Sequence, residues 1–183
     1  QLLAGYFAYV DGVPNHWLRG SVDQGANWGM VADLSAAGFR QIVFAPSGDG
    51  FAIRAYNHRW EVFKTTNGGT SWTLIDSFLY ASSSNPMAIT VTPQGHLVVV
   101  GQETDSALNS RRGLVRRSVD GGQTWVTVDD LVGVWASAVA SSSSVIVVSG
   151  RGGELGALTD HWASRRSTDG GNTWTTVDEY QVG

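Results

Sequence analysis

Short stretches in which apolar and polar residues alternate recur along the whole chain, and this period of two predicts β-strands. They come in pairs, each pair separated by a short polar turn. WEVFKT precedes WTLID, and LVRRS precedes WVTVD. WLRGS before WGMVAD and WASRRS before WTTVD complete the set. Two strands joined by a tight turn form a β-hairpin, so the sequence predicts four hairpins.

One eight-residue sequence, which we call the box, forms the turn of every predicted hairpin. It reads SVDQGANW, TTNGGTSW, SVDGGQTW and STDGGNTW in chain order. Ser, Thr, Asp and Asn side chains hydrogen-bond nearby backbone groups in turns, and glycine tolerates positive φ. The tryptophan is expected to fold back as an apolar plug. We therefore expect these box residues to be structural: Ser21, Asp23, Gly25, Trp28, Thr65, Asn67, Gly69, Trp72, Ser118, Asp120, Gly122, Trp125, Ser167, Asp169, Gly171 and Trp174.

The spacing of the boxes predicts a propeller. Their tryptophans lie about 45 to 55 residues apart, a period typical of propeller blades. Further strands are predicted before each hairpin, for example FAIRAYN and HLVVVGQET, and innermost strands at 40–46, 87–93 and 135–140. The first unit lacks an innermost strand, so fifteen strands are predicted where four complete units need sixteen. The blade units span approximately 1–34, 35–77, 78–130 and 131–183.

The box resembles the Asp-box (BNR) repeat of sialidases, sortilin-type receptors, some xyloglucan hydrolases and many secreted propellers. The resemblance covers the whole chain through its four copies. It implies an all-β fold, a β-propeller of four-stranded antiparallel blades with four blade units in this chain, the first incomplete. It also implies that the box lies at the rim, between the third and fourth strands, and does no chemistry. A secreted or cell-surface location follows from the same resemblance.

Composition and charge exclude several other classes. The net charge of −4 does not suggest a nucleic-acid partner, and the absence of cysteine excludes disulfides and thiolate metal sites. No metal motif stands out, and no cofactor is expected. The glycines of VVSGRGGELG miss the dinucleotide-binding spacing. The uncharged run at 131–150 contains a serine turn, so two strands are predicted there and no membrane span.

Three His-Trp sequences are the candidate ligand-binding sites. They are expected in loops between second and third strands, on the face opposite the boxes. Aromatic rings pack on the C–H groups of sugars, while amides and acids bind hydroxyls. The other interpretation is that these tryptophans pack between blades. The candidate residues are Asn15, His16, Trp17, Asn57, His58, Trp60, Asp160, His161 and Trp162.

The leading functional hypothesis is a non-enzymatic binding or scaffold module that recognises carbohydrate or another cell-surface ligand. A purely structural or protein-interaction module is the first alternative, and a glycoside hydrolase or sialidase-like enzyme is the second. Glycosidic chemistry needs two carboxylates. Asp33, Asp76, Asp129 and Asp178 recur after each box and are expected to serve the blade, whereas Glu103, Asp105, Glu154 and Asp160 are expected in loops. Arg54 lacks the sequence context of the sialidase arginines.

An incomplete set of four units predicts that other polypeptide completes the ring. A broken ring exposes blade faces that folded proteins normally cover. Either a second copy of this chain, giving a homo-oligomer of about eight blades, or further sequence of a parent protein would supply the missing blades.

Overall fold

The computed structural model describes residues 2–10, 13–34, 37–80, 82–105, 110–152 and 161–181, and within them the chain forms only β-strands and turns. Fifteen strands are present among these described residues. Their bounds are β1 Leu2–Val10, β2 Val13–Ser21, β3 Gly29–Asp33, β4 Gln41–Phe44, β5 Gly50–Tyr56, β6 Arg59–Thr65, β7 Thr73–Phe78, β8 Ser83–Val91, β9 Leu97–Asp105, β10 Ser110–Ser118, β11 Val126–Val132, β12 Val134–Ser141, β13 Ile146–Gly152, β14 His161–Ser167 and β15 Thr175–Gln181.

The strands form four antiparallel sheets in chain order, which we call blades 1 to 4. Blade 1 contains β1, β2 and β3, and each other blade has four strands: β4 to β7, β8 to β11 and β12 to β15. The all-β propeller architecture and the incomplete first blade are therefore confirmed. The part of the chain that the structure describes contains no helix with the length and apolarity to cross a membrane.

Each blade has a β-bulge at the same place in its outer hairpin. The register shifts between Leu18 and Arg19, Val62 and Phe63, Val115 and Arg116, and Ser164 and Arg165. A bulge adds local twist and re-aims the next side chain. The residue directly after the bulge, which is the second residue before the Ser or Thr that begins the box, therefore has the same position in every blade. These residues are Arg19, Phe63, Arg116 and Arg165.

Apolar side chains from consecutive blades form three cores. Leu18 and Leu34 of blade 1 pack with Phe39 and Ala52 at the entry to blade 2. A second core joins blades 2 and 3 through residues such as Trp60 and Leu114. A third joins blades 3 and 4 through Val115, Leu131, Val134, Ile146 and others. Since each core lies between two sheets, each blade is stabilised by its neighbours.

One strand begins earlier than the sequence predicts. β8 starts at Ser83 rather than at Met87, and it includes Pro86. A bulge between Pro86 and Ala88 accommodates the proline, which has no N–H to donate to the ladder. The early start matters because it carries Ser84 into the site described below.

Candidate functional site

The box turns are held by a repeated set of hydrogen bonds. In blade 3 the Ser118 hydroxyl donates to Asp120 Oδ1 at 2.8 Å and accepts the Gly122 N–H at 2.8 Å. Asp120 Oδ1 also accepts the Thr124 N–H at 2.9 Å, and the Trp125 indole donates to the Gly122 carbonyl at 3.2 Å. Ser21, Thr65 and Ser167 make the corresponding bonds in the other blades.

The box glycines have the predicted positive φ, and one of them also lies in close contact with the preceding blade. Gly25, Gly69, Gly122 and Gly171 have φ of 94°, 94°, 93° and 87°. A Cβ on Gly69 would lie 2.2 Å from Leu18 Cδ2 of the preceding blade. The turn therefore packs directly on its neighbour, and a side chain at this position would push the two blades apart.

The box carboxylates are strongly biased to the ionised form. Hydrogen bonds from the Thr124 hydroxyl and N–H hold the pKa of Asp120 at about 2. The Ser21 hydroxyl and the Asn27 amide groups hold the pKa of Asp23 at about 2 as well. The pKa of Asp169 is lowered further, mainly by the Thr173 hydroxyl. Such carboxylates stay charged at any physiological pH, so they are poor proton donors.

The face opposite the boxes, which we call the open face, carries the turns between second and third strands. In blade 2 this turn is Asn57-His58, both exposed, with φ of 48° and 61°. These values are typical of a two-residue type I′ hairpin turn. The His58 carbonyl accepts the Ser84 N–H of blade 3 at 2.9 Å. The turn thus connects two blades at the open face.

The structure does not bring the His-Trp residues together as exposed loop sites. Trp60 is fully buried and packs edge-on against Phe78, with ring centroids 5.8 Å apart. Its predicted role as a ligand contact is wrong, because its ring fills the core between blades 2 and 3. The other interpretation, packing between blades, holds for this residue.

The remaining His-Trp residues are placed differently. His161 and Trp162 begin strand β14, and Trp162 is 44% exposed on the flank of blade 4. Trp17 is half-buried within β2. Asn15 and His16 also lie in β2, with side chains outside the described part, and Asp160 lies outside the described residues.

A buried carboxyl lies at the open face between blades 2 and 3. Glu103 is 1% exposed, and the Ser84 hydroxyl donates to its Oε2. Ser84 Oγ in turn accepts the Tyr80 N–H at 3.0 Å. The other carboxyl oxygen, Oε1, has no hydrogen-bond partner. Such an unpaired buried oxygen favours the protonated acid.

The pKa of Glu103 is unlike that of the box carboxylates. Burial raises it from 4.5 to about 7, against the lowering effects of the Ser84 hydroxyl, the Trp60 indole N–H and the Arg116 charge. The Trp60 N–H lowers the pKa of the carboxyl, although its geometry does not make a hydrogen bond. Desolvation is thus the dominant cause. A carboxylic acid with this pKa exchanges a proton readily near neutral pH.

The ladder partner of Glu103 belongs to a group of charged and aromatic side chains nearer the surface. Arg112 is the ladder partner of Glu103, forms an ion pair with Asp130, and lies 5.7 Å from the centroid of the Tyr80 ring. Tyr80 is 42% exposed. We call this group the open-face cluster, and it consists of Tyr80, Ser84, Glu103, Arg112 and Asp130. It combines a buried acid of raised pKa, the ion pair of Arg112 with Asp130, and an exposed aromatic ring.

Sequence reasoning placed Glu103 and Asp105 in a loop, and this is wrong, because both belong to strand β9. The signal was present in the alternation of HLVVVGQET. Leu97, Val99 and Gly101 share one face of the strand, and Glu103 continues it. The predicted loop residues Glu154 and Asp160 lie outside the described residues.

Three arginines form ion pairs within a blade or between neighbouring blades. Arg54 pairs with Glu61 at 2.6 Å and donates to the Ala37 carbonyl at 2.9 Å. Arg116 pairs with Asp76 of the preceding blade, and Arg165 bonds Asp129 of its preceding blade at 2.8 Å. Within the described residues there is no cluster of His, Asp and Glu that could hold a metal ion.

Comparison with known proteins relates the fold to solved propellers. An α-L-arabinofuranosidase of Fusarium graminearum in complex with arabinobiose has a TM-score of 0.60 and 16% identity, covering 78% of this chain and 49% of its own. An α-L-arabinanase of Penicillium chrysogenum complexed with arabinobiose has a TM-score of 0.61 and 14% identity, with the same coverage of both chains. A protein of unknown function from Dyadobacter fermentans has a TM-score of 0.58 and 17% identity, and the match covers 92% of this chain and 58% of that protein.

No family model and no curated protein sequence matches the chain. The chain spans about half the length of the first of these structures. The expected non-enzymatic binding or scaffold role is corrected by this comparison. The matched structures include an α-L-arabinofuranosidase and an α-L-arabinanase that hold arabinobiose or an iminosugar inhibitor.

Proposed function

We propose that this chain is part of a propeller glycoside hydrolase in which the Glu103 carboxyl acts as the general acid and donates its proton to the glycosidic oxygen of the leaving group. The observation that carries the proposal is a carboxyl at the open face with a pKa of about 7. General acids work best when their pKa lies near the operating pH. Among the described residues, the acids with resolved shifts at the boxes are all lowered and cannot take this role.

Asp130 is the second carboxylate of the proposed pair. Glycosidases generally use one protonated and one ionised carboxyl. Asp130 forms an ion pair with Arg112, and the raised pKa of Glu103 favours the protonated form of Glu103. The exposed Tyr80 ring offers a surface for the C–H face of a sugar. Because Glu103 is only 1% exposed, substrate contact requires a local movement that exposes its carboxyl.

The substrate class that we propose is an arabinose-containing oligosaccharide. The support is the shared fold with enzymes that are named as acting on such sugars or that hold arabinobiose. We also propose that the chain belongs among the Asp-box propellers and is secreted. The active unit on this view contains more blades than this chain supplies.

The test is hydrolysis of arabinobiose and longer arabino-oligosaccharides by the wild type, E103Q and E179Q. Glu179 is an exposed glutamate on β15, so E179Q is the matched control. E103Q is expected to lower the rate by about 10²-fold or more, the usual contribution of a general acid, and E179Q to leave it unchanged. Equal rates for E103Q and wild type would refute the role of Glu103. Absence of hydrolysis across the panel, measured on a protein that contains all the blades of the active unit, would refute the hydrolase proposal for these sugars.

A further inference from the structure

A buried indole N–H without a hydrogen-bond partner lies on the Glu103 side of strand β9. Trp60 is fully buried, and among the described residues no acceptor pairs with its Nε1. The ring packs so closely on β9 that a Cβ on Gly101 would lie 2.6 Å from Trp60 Cζ2, so the strand needs glycine there. Side chains alternate along a strand, so Gly101 and Glu103 share the face that this ring covers.

Three box tryptophans show what such an N–H does when an acceptor is available. The indoles of Trp28, Trp72 and Trp125 each donate to the glycine carbonyl of their own box, at 3.0, 3.0 and 3.2 Å. Buried polar groups are bonded in the great majority of cases, and each exception needs an explanation. For Trp60 the explanation lies in the carboxyl that shares its side of β9.

The Glu103 carboxyl has one bonded oxygen and one unpaired oxygen. Ser84 Oγ accepts the Tyr80 N–H at 3.0 Å and donates its only hydrogen to Oε2, so this oxygen is occupied. The other oxygen, Oε1, is buried and has no partner among the described residues. A neutral acid tolerates this arrangement, whereas a negative charge on a buried carboxyl requires a further donor.

The charged side chains on the strands around this carboxyl are bonded elsewhere or exposed. Arg116 acts on Glu103 through its charge, but its guanidinium is paired with Asp76 and packs over the Phe78 ring. The remaining charged groups near the open face are Arg112 with Asp130, Arg54 with Glu61, Arg40 with the Pro86 carbonyl, Arg59 with Ser77, and His58 in its exposed turn. The Trp60 N–H is therefore a donor that can bond Oε1 without breaking another contact.

From this geometry we infer that Trp60 is a positioning residue, whose indole N–H bonds Glu103 Oε1 when the carboxyl loses its proton. The purpose of this bond rests on the proposed function. In the proposed reaction the O–H bond of Glu103 breaks, its proton goes to the glycosidic oxygen as that oxygen leaves the anomeric carbon, and the electron pair stays on the carboxyl. Ser84 at Oε2 and Trp60 at Oε1 then hold the charge between them.

The test follows the Trp60 indole signal by ¹H–¹⁵N NMR from mildly acidic to mildly alkaline pH, with W60F to assign it. The indole proton is expected to move downfield as pH rises, with the same midpoint as the Glu103 carboxyl carbon. In E103Q the Trp60 signal should not titrate. The Trp72 indole, which is bonded to the Gly69 carbonyl, is the internal control and should stay constant.

W60F gives the second measurement, because phenylalanine keeps an aromatic ring but has no N–H. A hydrogen bond to the charged form lowers the pKa of an acid, so W60F should raise the pKa of Glu103 from about 7 to about 8. The same replacement in a box, W72F, should leave the pKa of Glu103 at its wild-type value. In the hydrolysis assay, the alkaline limb of the pH profile should move up by the same amount in W60F.

The NMR measurements need no substrate, so they test the inference even where the hydrolase proposal fails. A Trp60 indole signal that stays constant while Glu103 titrates would overturn the inference. An unchanged pKa of Glu103 in a folded W60F would overturn it as well. Thermal melts show whether W60F is folded, and the titrations of wild type and E103Q decide the question if it is not.

Discussion

At the scale of single residues, the environment divides the carboxyls into two classes. The box aspartates accept several hydrogen bonds at the surface, so their pKa values fall to about 2 or lower. Glu103 is enclosed by Ser84, Trp60 and the core, so its pKa rises to about 7. The box aspartates therefore stabilise the turns, whereas Glu103 is available for proton transfer.

Replacing Glu103 by Gln should change how stability depends on pH. The native pKa of Glu103 lies above its unfolded value, so the native state binds more protons between about pH 4.5 and 7. Stability therefore falls as pH rises through this window, by roughly 3 to 4 kcal/mol at most. Gln resembles the protonated acid and removes this loss. Urea unfolding of both proteins at several pH values measures it, and parallel curves for E103Q and wild type would contradict the buried, protonated state.

At the scale of elements, the sequence predicted the strands and turns well because both depend on local chemistry. Alternation identified the outer hairpins, and Ser, Asp and Gly at fixed spacing identified the turns that Ser118, Asp120 and Gly122 now form. The contacts between blades were harder to foresee. Trp60 was expected as a ligand contact, yet its ring lies in the core between blades 2 and 3. Such burial depends on the neighbouring blade, and no local pattern records it.

The Asp120 turn gives a prediction at this scale. Box 2 has Asn67 at the equivalent position, and its Oδ1 accepts the Ser71 N–H at 3.0 Å and the Thr65 hydroxyl at 2.9 Å. D120N should therefore keep the turn and melt near the wild-type temperature at neutral pH, whereas D120A should melt lower.

The two variants also separate the effect of charge from that of hydrogen bonding. The native pKa of Asp120 lies below the ordinary value of 3.8, so its stabilisation is full above that pH and is lost as pH falls toward 2. D120N lacks this acid-dependent part. Thermal melts between neutral pH and pH 2 measure it, and a D120N variant as unstable as D120A at neutral pH would show that Asn cannot replace Asp in this turn.

At the scale of the whole molecule, blades are joined by apolar cores and by ion pairs between neighbours. Asp76 and Arg116 have side chains only 17% and 8% exposed. Removing one member of such a pair leaves the other charge buried and unpaired. The arrangement makes each blade depend on the next, so the chain is expected to unfold as one cooperative unit.

The variant D76N tests this dependence against a surface ion pair. We expect D76N to lower the free energy of unfolding by about 3 kcal/mol, because Arg116 loses its partner inside the interface. D49N removes the Lys64 partner at a more exposed site, and a loss below about 1 kcal/mol is expected. Chemical unfolding measures both. Equal losses would mean that the pair between the blades contributes no more than a surface contact.

The central claim is that a carboxylic acid at the open face keeps its proton near neutral pH. ¹³C NMR titration of the side-chain carboxyl carbons, with E103Q to assign the Glu103 signal, measures this directly. The account predicts that the Glu103 signal titrates at about pH 7. A midpoint near the ordinary glutamate value of 4.5 would contradict it, because Glu103 would then be ionised at neutral pH and unable to act as the proton donor.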